Sequence, residues 1–94
     1  MPKISKPLAP SSGRITSHQD LGRAIRYARM EAGLTVDDAA QAIGVAKATL
    51  LRAEQGKAGL QFDNLLKILA GLGLMLAILP ASQNIERDLQ WPKA

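Results

Sequence analysis

Two cations, Lys47 and Arg52, are the side chains whose type and setting best suit chemistry with a partner. They fall in AKATLLRAEQG, residues 46–56, a helix-forming stretch that ends on a glycine. A guanidinium is a rigid fork of donors that engages two acceptors at once, and an ammonium is a mobile point charge. Carried on one side of a short helix, the two suit a polyanion.

The sequence offers little other chemistry. It has no cysteine, hence no disulfide framework and no thiolate metal site. His18 is the sole histidine and cannot build a metal site alone. There is no glycine-rich phosphate loop. The carboxylates Asp20, Asp37 and Asp38 sit where helix starts are expected, and capping accounts for them. An enzyme is not expected, and neither is a cofactor or a metal.

Several short helices must position Lys47 and Arg52. Ser17 is a candidate N-cap with Asp20 three residues on, so a first helix is expected from about His18 to Ala32, stopped at Gly33. Leu21, Ile25 and Ala28 form its apolar face. Arg23, Arg26 and Arg29 lie largely on the other side, as a solvated stripe or as phosphate contacts. Thr35 caps a second helix, with Asp37 and Asp38 near the positive end of its dipole. Ala39, Ala40 and Ile43 pack inward, and Gly44 makes a tight turn. The third helix is expected over about Ala46–Gln55, with Val45, Leu50 and Ala53 inward and Lys47, Ala48, Leu51 and Arg52 outward. Two short helices joined by a tight turn, the second carrying cations, form the layout of a helix-turn-helix DNA reader. The outward Leu51 suits thymine methyls or another apolar surface.

A fourth helix is expected from about Phe62 to Leu72, with Phe62, Leu65, Leu66 and Leu69 apolar and Gly71 and Gly73 at its end. The run Leu74, Met75, Leu76, Ala77, Ile78, Leu79 is apolar at every position, so alternation does not distinguish its faces. A membrane span is excluded by length, since about 20 residues are needed and Lys67 interrupts the apolar stretch. A strand buried on both faces fits better than a helix continued across two glycines. A lone strand is unstable, so it is expected to pair with its counterpart across the two-fold axis of a homodimer.

The segment from about Leu21 to Leu79 resembles the Xre/phage-repressor-like helix-turn-helix family. Within it, the chain is similar to the HipB-type antitoxins, autorepressor partners of HipA serine/threonine kinase toxins. The resemblance is carried by IRYARMEAGLT leading into QAIGVAKATL, by AEQGK after the third helix, by LLKILAGLGLMLAIL and by the tail motif DLQW. It implies an all-α, lambda-repressor-like domain of about four helices with the dimer-forming strand. It places DNA contacts on Ala46, Lys47, Ala48, Thr49, Arg52 and Lys57. Arg52 can address guanine O6 and N7 together, Lys47 a base or a phosphate, Ala48 a methyl, and Lys57 a phosphate. It also implies a structural salt bridge between Arg29 and Glu54, which makes Arg29 scaffold rather than reader. The implied partners are double-stranded operator DNA with an inverted repeat and a HipA-like kinase toxin, the latter through Leu89 and Trp91; on the residues alone, Trp91 equally suits a tail that folds back on the domain or dangles. Three positions depart from the family pattern. Val36 stands for a phosphate-binding Gln, Ala46 for a polar cap, and Leu51 for a polar contact. They leave fewer polar contacts per half-site and more reliance on dimerisation.

The net charge is +4 over 94 residues, with an estimated pI near 9.9. Lys3, Lys6 and Arg14 fall in residues 1–16 with no acid, whereas Ser17–Leu79 holds seven bases against six acids. Placement of charge, more than its sum, must therefore carry any DNA affinity of the domain. Residues 1–16 are expected to be a flexible basic arm, either touching DNA or merely solubilising. Residues 17–79 form the DNA-binding and dimerisation domain, and residues 80–94 a flexible tail. The chain lacks the apolar core of a secretory signal, and a cytoplasmic, nucleoid-associated protein is expected. Two alternatives stay open: a stand-alone repressor without a toxin, and a protein-interaction module that has lost DNA recognition.

Overall fold

A computed structural model describes residues 14–82, in which the chain folds into four helices. They are α1 (His18–Glu31), α2 (Val36–Ile43), α3 (Lys47–Glu54) and α4 (Phe62–Gly71). The Ser17 hydroxyl accepts from the Asp20 N–H at 3.0 Å and opens α1. Asp20 reaches back in turn, accepting from the backbone N–H and the hydroxyl of Thr16 at 3.0 and 2.9 Å. This is a capping box displaced one residue outward from its usual N-cap target.

The core is small and made by all four helices. Ile25, Leu50 and Ile68 are fully buried, and Ala39, Ala40, Ala53 and Leu69 fill the spaces between them. Burial of each large aliphatic side chain contributes on the order of 1.5–3 kcal/mol. Alanines on α2 and α3 allow close packing there. Gly22 does the same between α1 and α3, where an added Cβ would lie 2.6 Å from the Glu54 carbonyl oxygen and 2.7 Å from that of Ala53.

Of the apolar residues of α4, Ile68 is buried while Phe62 and Leu66 are 59% and 42% exposed. The helix is apolar on more than one side, so spacing alone does not rank its faces; Leu65, Ile68, Leu69 and Leu72 turn inward. The sequence leads to the expectation of a strand over Leu74–Leu79. Among the described residues there is no strand: after Leu74, which closes α4 by donating to the Leu69 carbonyl at 2.8 Å, the chain runs on without regular structure. A strand exists only as part of a ladder, and the described residues hold no second strand to pair with. Leu74 packs against the core, whereas Met75 and Ile78 are 87% and 94% exposed. Most of the N-terminal arm, together with Leu89 and Trp91, lies outside the described residues.

Candidate nucleic-acid interface

The turn between α2 and α3 sets the direction of the outward cations. Thr35 starts α2, its hydroxyl accepting from the Asp38 N–H at 3.1 Å. Gly44 ends it at φ +92°, a left-handed conformation that side chains with a Cβ adopt at a cost. Val45 returns an N–H to the Ala40 carbonyl, and α3 begins two residues later. Ala46 offers no side-chain cap, so the first N–H groups of α3 stay available at this end. Small residues make the turn compact, and α3 packs one face on α1 and α2 while presenting the other to solvent.

Ala46, Lys47, Ala48, Arg52 and Lys57 are exposed, and Thr49 is half-buried beside them. Leu51, at 38% exposure, shares that outward face. Lys57 is placed by the end of α3. Gly56, at φ +72°, lets the Lys57 N–H donate to the Arg52 carbonyl at 3.1 Å and its own N–H to Ala53 at 3.2 Å. Both principal cations already have partners within the protein. Lys47 Nζ lies 3.2 Å from Asp37 Oδ1, a contact in which both side chains remain largely exposed. Arg52 donates Nη2 to the Ala58 carbonyl at 3.3 Å. A shallow cleft lined in part by Thr49, Arg52, Lys57, Gln61 and Asn64 extends the face toward α4.

Beneath this face the scaffold carries a second, very different ion pair. Arg29 Nε and Nη2 donate to Glu54 Oε2 and Oε1 at 2.5 and 2.9 Å, and its Nη1 donates to the Leu34 carbonyl at 2.7 Å. The two side chains are 11% and 4% exposed. One guanidinium thus joins α1, the end of α3 and the loop before α2, and fixes the angle at which α3 stands out. Arg29 leaves the arginine stripe of α1, while Arg23 and Arg26 remain exposed. Arg23 meets Asp20 at 3.5 Å. Hydrogen bonds from Thr16, backbone first, hold the Asp20 carboxyl below its ordinary range, with Arg23 adding to the effect.

Sequence reasoning missed Asp37 as a partner of Lys47. Ten residues and a turn separate them, and the helix dipole alone already accounted for an acid there. Gln61 and Asn64 were missed because they join the face only through the loop that returns the chain from α3 to α4. Among the described residues no group of three His, Asp or Glu side chains is placed to hold a metal.

A family described as "Helix-turn-helix domain" matches residues 20–79. The chain belongs to that family. It carries a DNA-binding helix-turn-helix domain, of a kind that is typically non-enzymatic. No curated protein sequence matches it significantly. Among solved structures it is similar to HipB in a "HipB-O4 20mer complex", with 28% identity and a TM-score of 0.65 over 72% of this chain and 96% of that one. It is similar also to a chain of a "HipA-HipB-O2-O3 complex", with 26% identity and a TM-score of 0.66 over 72% and 96%. A structure named "MDT Protein" matches at 28% identity with a TM-score of 0.65, again over 72% and 96%. The likeness therefore extends over nearly the whole of those chains. Among the described residues no helix is long and apolar enough to cross a membrane.

Proposed function

We propose that this protein is a sequence-specific repressor and antitoxin that binds its own operator as a homodimer and neutralises a HipA-like kinase. The observation that carries the reading is the likeness to HipB in complex with HipA, O2 and O3. In this reading the exposed edge of α3 enters the major groove. Arg52 reads a base, Lys47 takes a base or phosphate, Ala48 and Leu51 meet methyl groups, Thr49 adds a hydroxyl, and Lys57 with the N–H groups after Ala46 meets the backbone. Leu74–Leu79 pairs with the same segment of a second copy, which removes Met75 and Ile78 from water and completes a two-stranded ladder. Such a dimer presents two reading helices about 34–36 Å apart, matching an inverted repeat. Leu89 and Trp91 contact the kinase.

The test is capture of the tagged protein from its own cells, with and without nuclease. A near-stoichiometric kinase-sized partner that survives nuclease is expected, and Trp91→Ala should weaken its retention. Recovery of promoter DNA alone would leave a stand-alone repressor and remove the kinase from the account.

A second reading, a protein-interaction module without DNA recognition, draws on the exposed apolar Leu51 at the centre of the outward face. Salt separates the two. Counterion release makes DNA affinity fall steeply with salt, whereas apolar contact with a protein hardly changes.

A further inference from the structure

The geometry points to Asp37 as a competitor built into the DNA interface, which occupies Lys47 until a phosphate displaces it. The inference rests on α3 being the DNA-facing helix. Asp37 is the second residue of α2 and Lys47 the first of α3, so their ion pair spans the turn at the N-terminal edge of the reading helix. In helix-turn-helix proteins that edge meets the bases while the preceding helix crosses the backbone. A carboxylate 3.2 Å from Lys47 Nζ therefore stands where phosphates approach.

Exposure makes the pair exchangeable. Lys47 and Asp37 are 58% and 70% exposed, so water and salt screen their attraction and little desolvation opposes separation. A phosphate that takes the ammonium must replace the carboxylate, and Asp37 is then left facing the same polyanion. The dipole of α2 favours an anion at Asp37 whether or not Lys47 is bound to it, so the acid is stable in both states. Asp37 thus removes part of the sequence-independent affinity that Lys47 would otherwise supply. Asp38, the next residue, carries the same charge in the same helical turn without the ion pair to Lys47, and serves as the control.

The experiment measures binding of the full chain to a labelled duplex of arbitrary sequence, about two helical turns long, between about 50 and 200 mM salt. Wild type, Asp37→Asn, Asp38→Asn, Lys47→Met and the Asp37→Asn/Lys47→Met double variant are compared. Asp37→Asn is expected to bind roughly three- to tenfold tighter at about 0.1 M salt, with a log–log salt slope steeper by about 0.9. Asp38→Asn should gain less, and Lys47→Met should erase the gain of Asp37→Asn. Equal gains from Asp37→Asn and Asp38→Asn, or an Asp37→Asn gain that persists without Lys47, would overturn the proposal while leaving DNA binding intact. Absence of salt-dependent binding in every variant, wild type included, would overturn the DNA-binding reading and this proposal with it.

Discussion

Arg29 and Lys47 are both cations held by a carboxylate on a different helix, yet the two pairs are built for opposite purposes. Arg29 makes three hydrogen bonds at 2.5–2.9 Å and is sealed between α1 and α3. Lys47 makes one contact at 3.2 Å in open solvent. A buried pair is costly to break because the charge left behind has no water to turn to. An exposed pair is nearly neutral in stability and can trade its partner. In this small domain the first arrangement sets where α3 stands, and the second leaves its cation exchangeable. Fixed geometry and exchangeable charge are thereby assigned to opposite faces of the same helix.

The contrast breaks most severely at its buried end. Glu54→Ala should destabilise the chain by about 3–5 kcal/mol in urea unfolding, because Arg29 would remain buried and unpaired. Replacing both residues with apolar ones of similar size should recover much of that loss, and a double variant as unstable as the single one would argue against this cause. Gly22→Ala attacks the same junction sterically. Its Cβ would meet backbone carbonyls rather than flexible side-chain tips, so α1 and α3 must separate, at about 1–3 kcal/mol. A crystal structure of that variant with unchanged α1–α3 spacing would contradict the packing described here.

At the exposed end the expected effect is on recognition rather than folding. Arg52→Ala should leave the unfolding midpoint in place and cost about 1–3 kcal/mol of discrimination at one base position in a binding-site selection. Unchanged preference would remove Arg52 from the readers.

The smallest effect concerns Asp20, whose folded carboxyl titrates below its ordinary value because Thr16 donates to it. A lowered folded pKa means that its contribution is complete above about pH 4 and is lost as pH falls through the depressed value. The melting-temperature gap between wild type and Asp20→Asn should therefore narrow as pH drops below about 4. A gap that widened on acidification would reverse the assigned sign.

Much of the scaffold was legible because it is written in local chemistry. Ser17, Thr35 and Gly44 each act within a few residues of themselves, so caps and turn follow from residue type. The outward setting of Lys47, Ala48 and Arg52 follows once Leu50 and Ala53 are taken as inward. What escaped depends on other parts of the fold. Ile68 could not be distinguished from Leu66 on a helix with two apolar sides, one of which is exposed among the described residues. Asp37 had a sufficient local explanation and concealed a long-range one. Leu74–Leu79 carries no alternation, so its residue types alone did not fix its conformation. The Arg29–Glu54 pair, 25 residues apart, was suggested by family resemblance and not by spacing.

The central claim, that the exposed edge of α3 reads DNA, is tested most directly by selecting binding sites from random duplexes with the full chain and titrating salt on the winners. An enriched inverted repeat with half-sites about 10–10.5 base pairs apart is expected, bound with an affinity that falls steeply as salt rises. No enriched motif, together with affinity indifferent to salt, would contradict it.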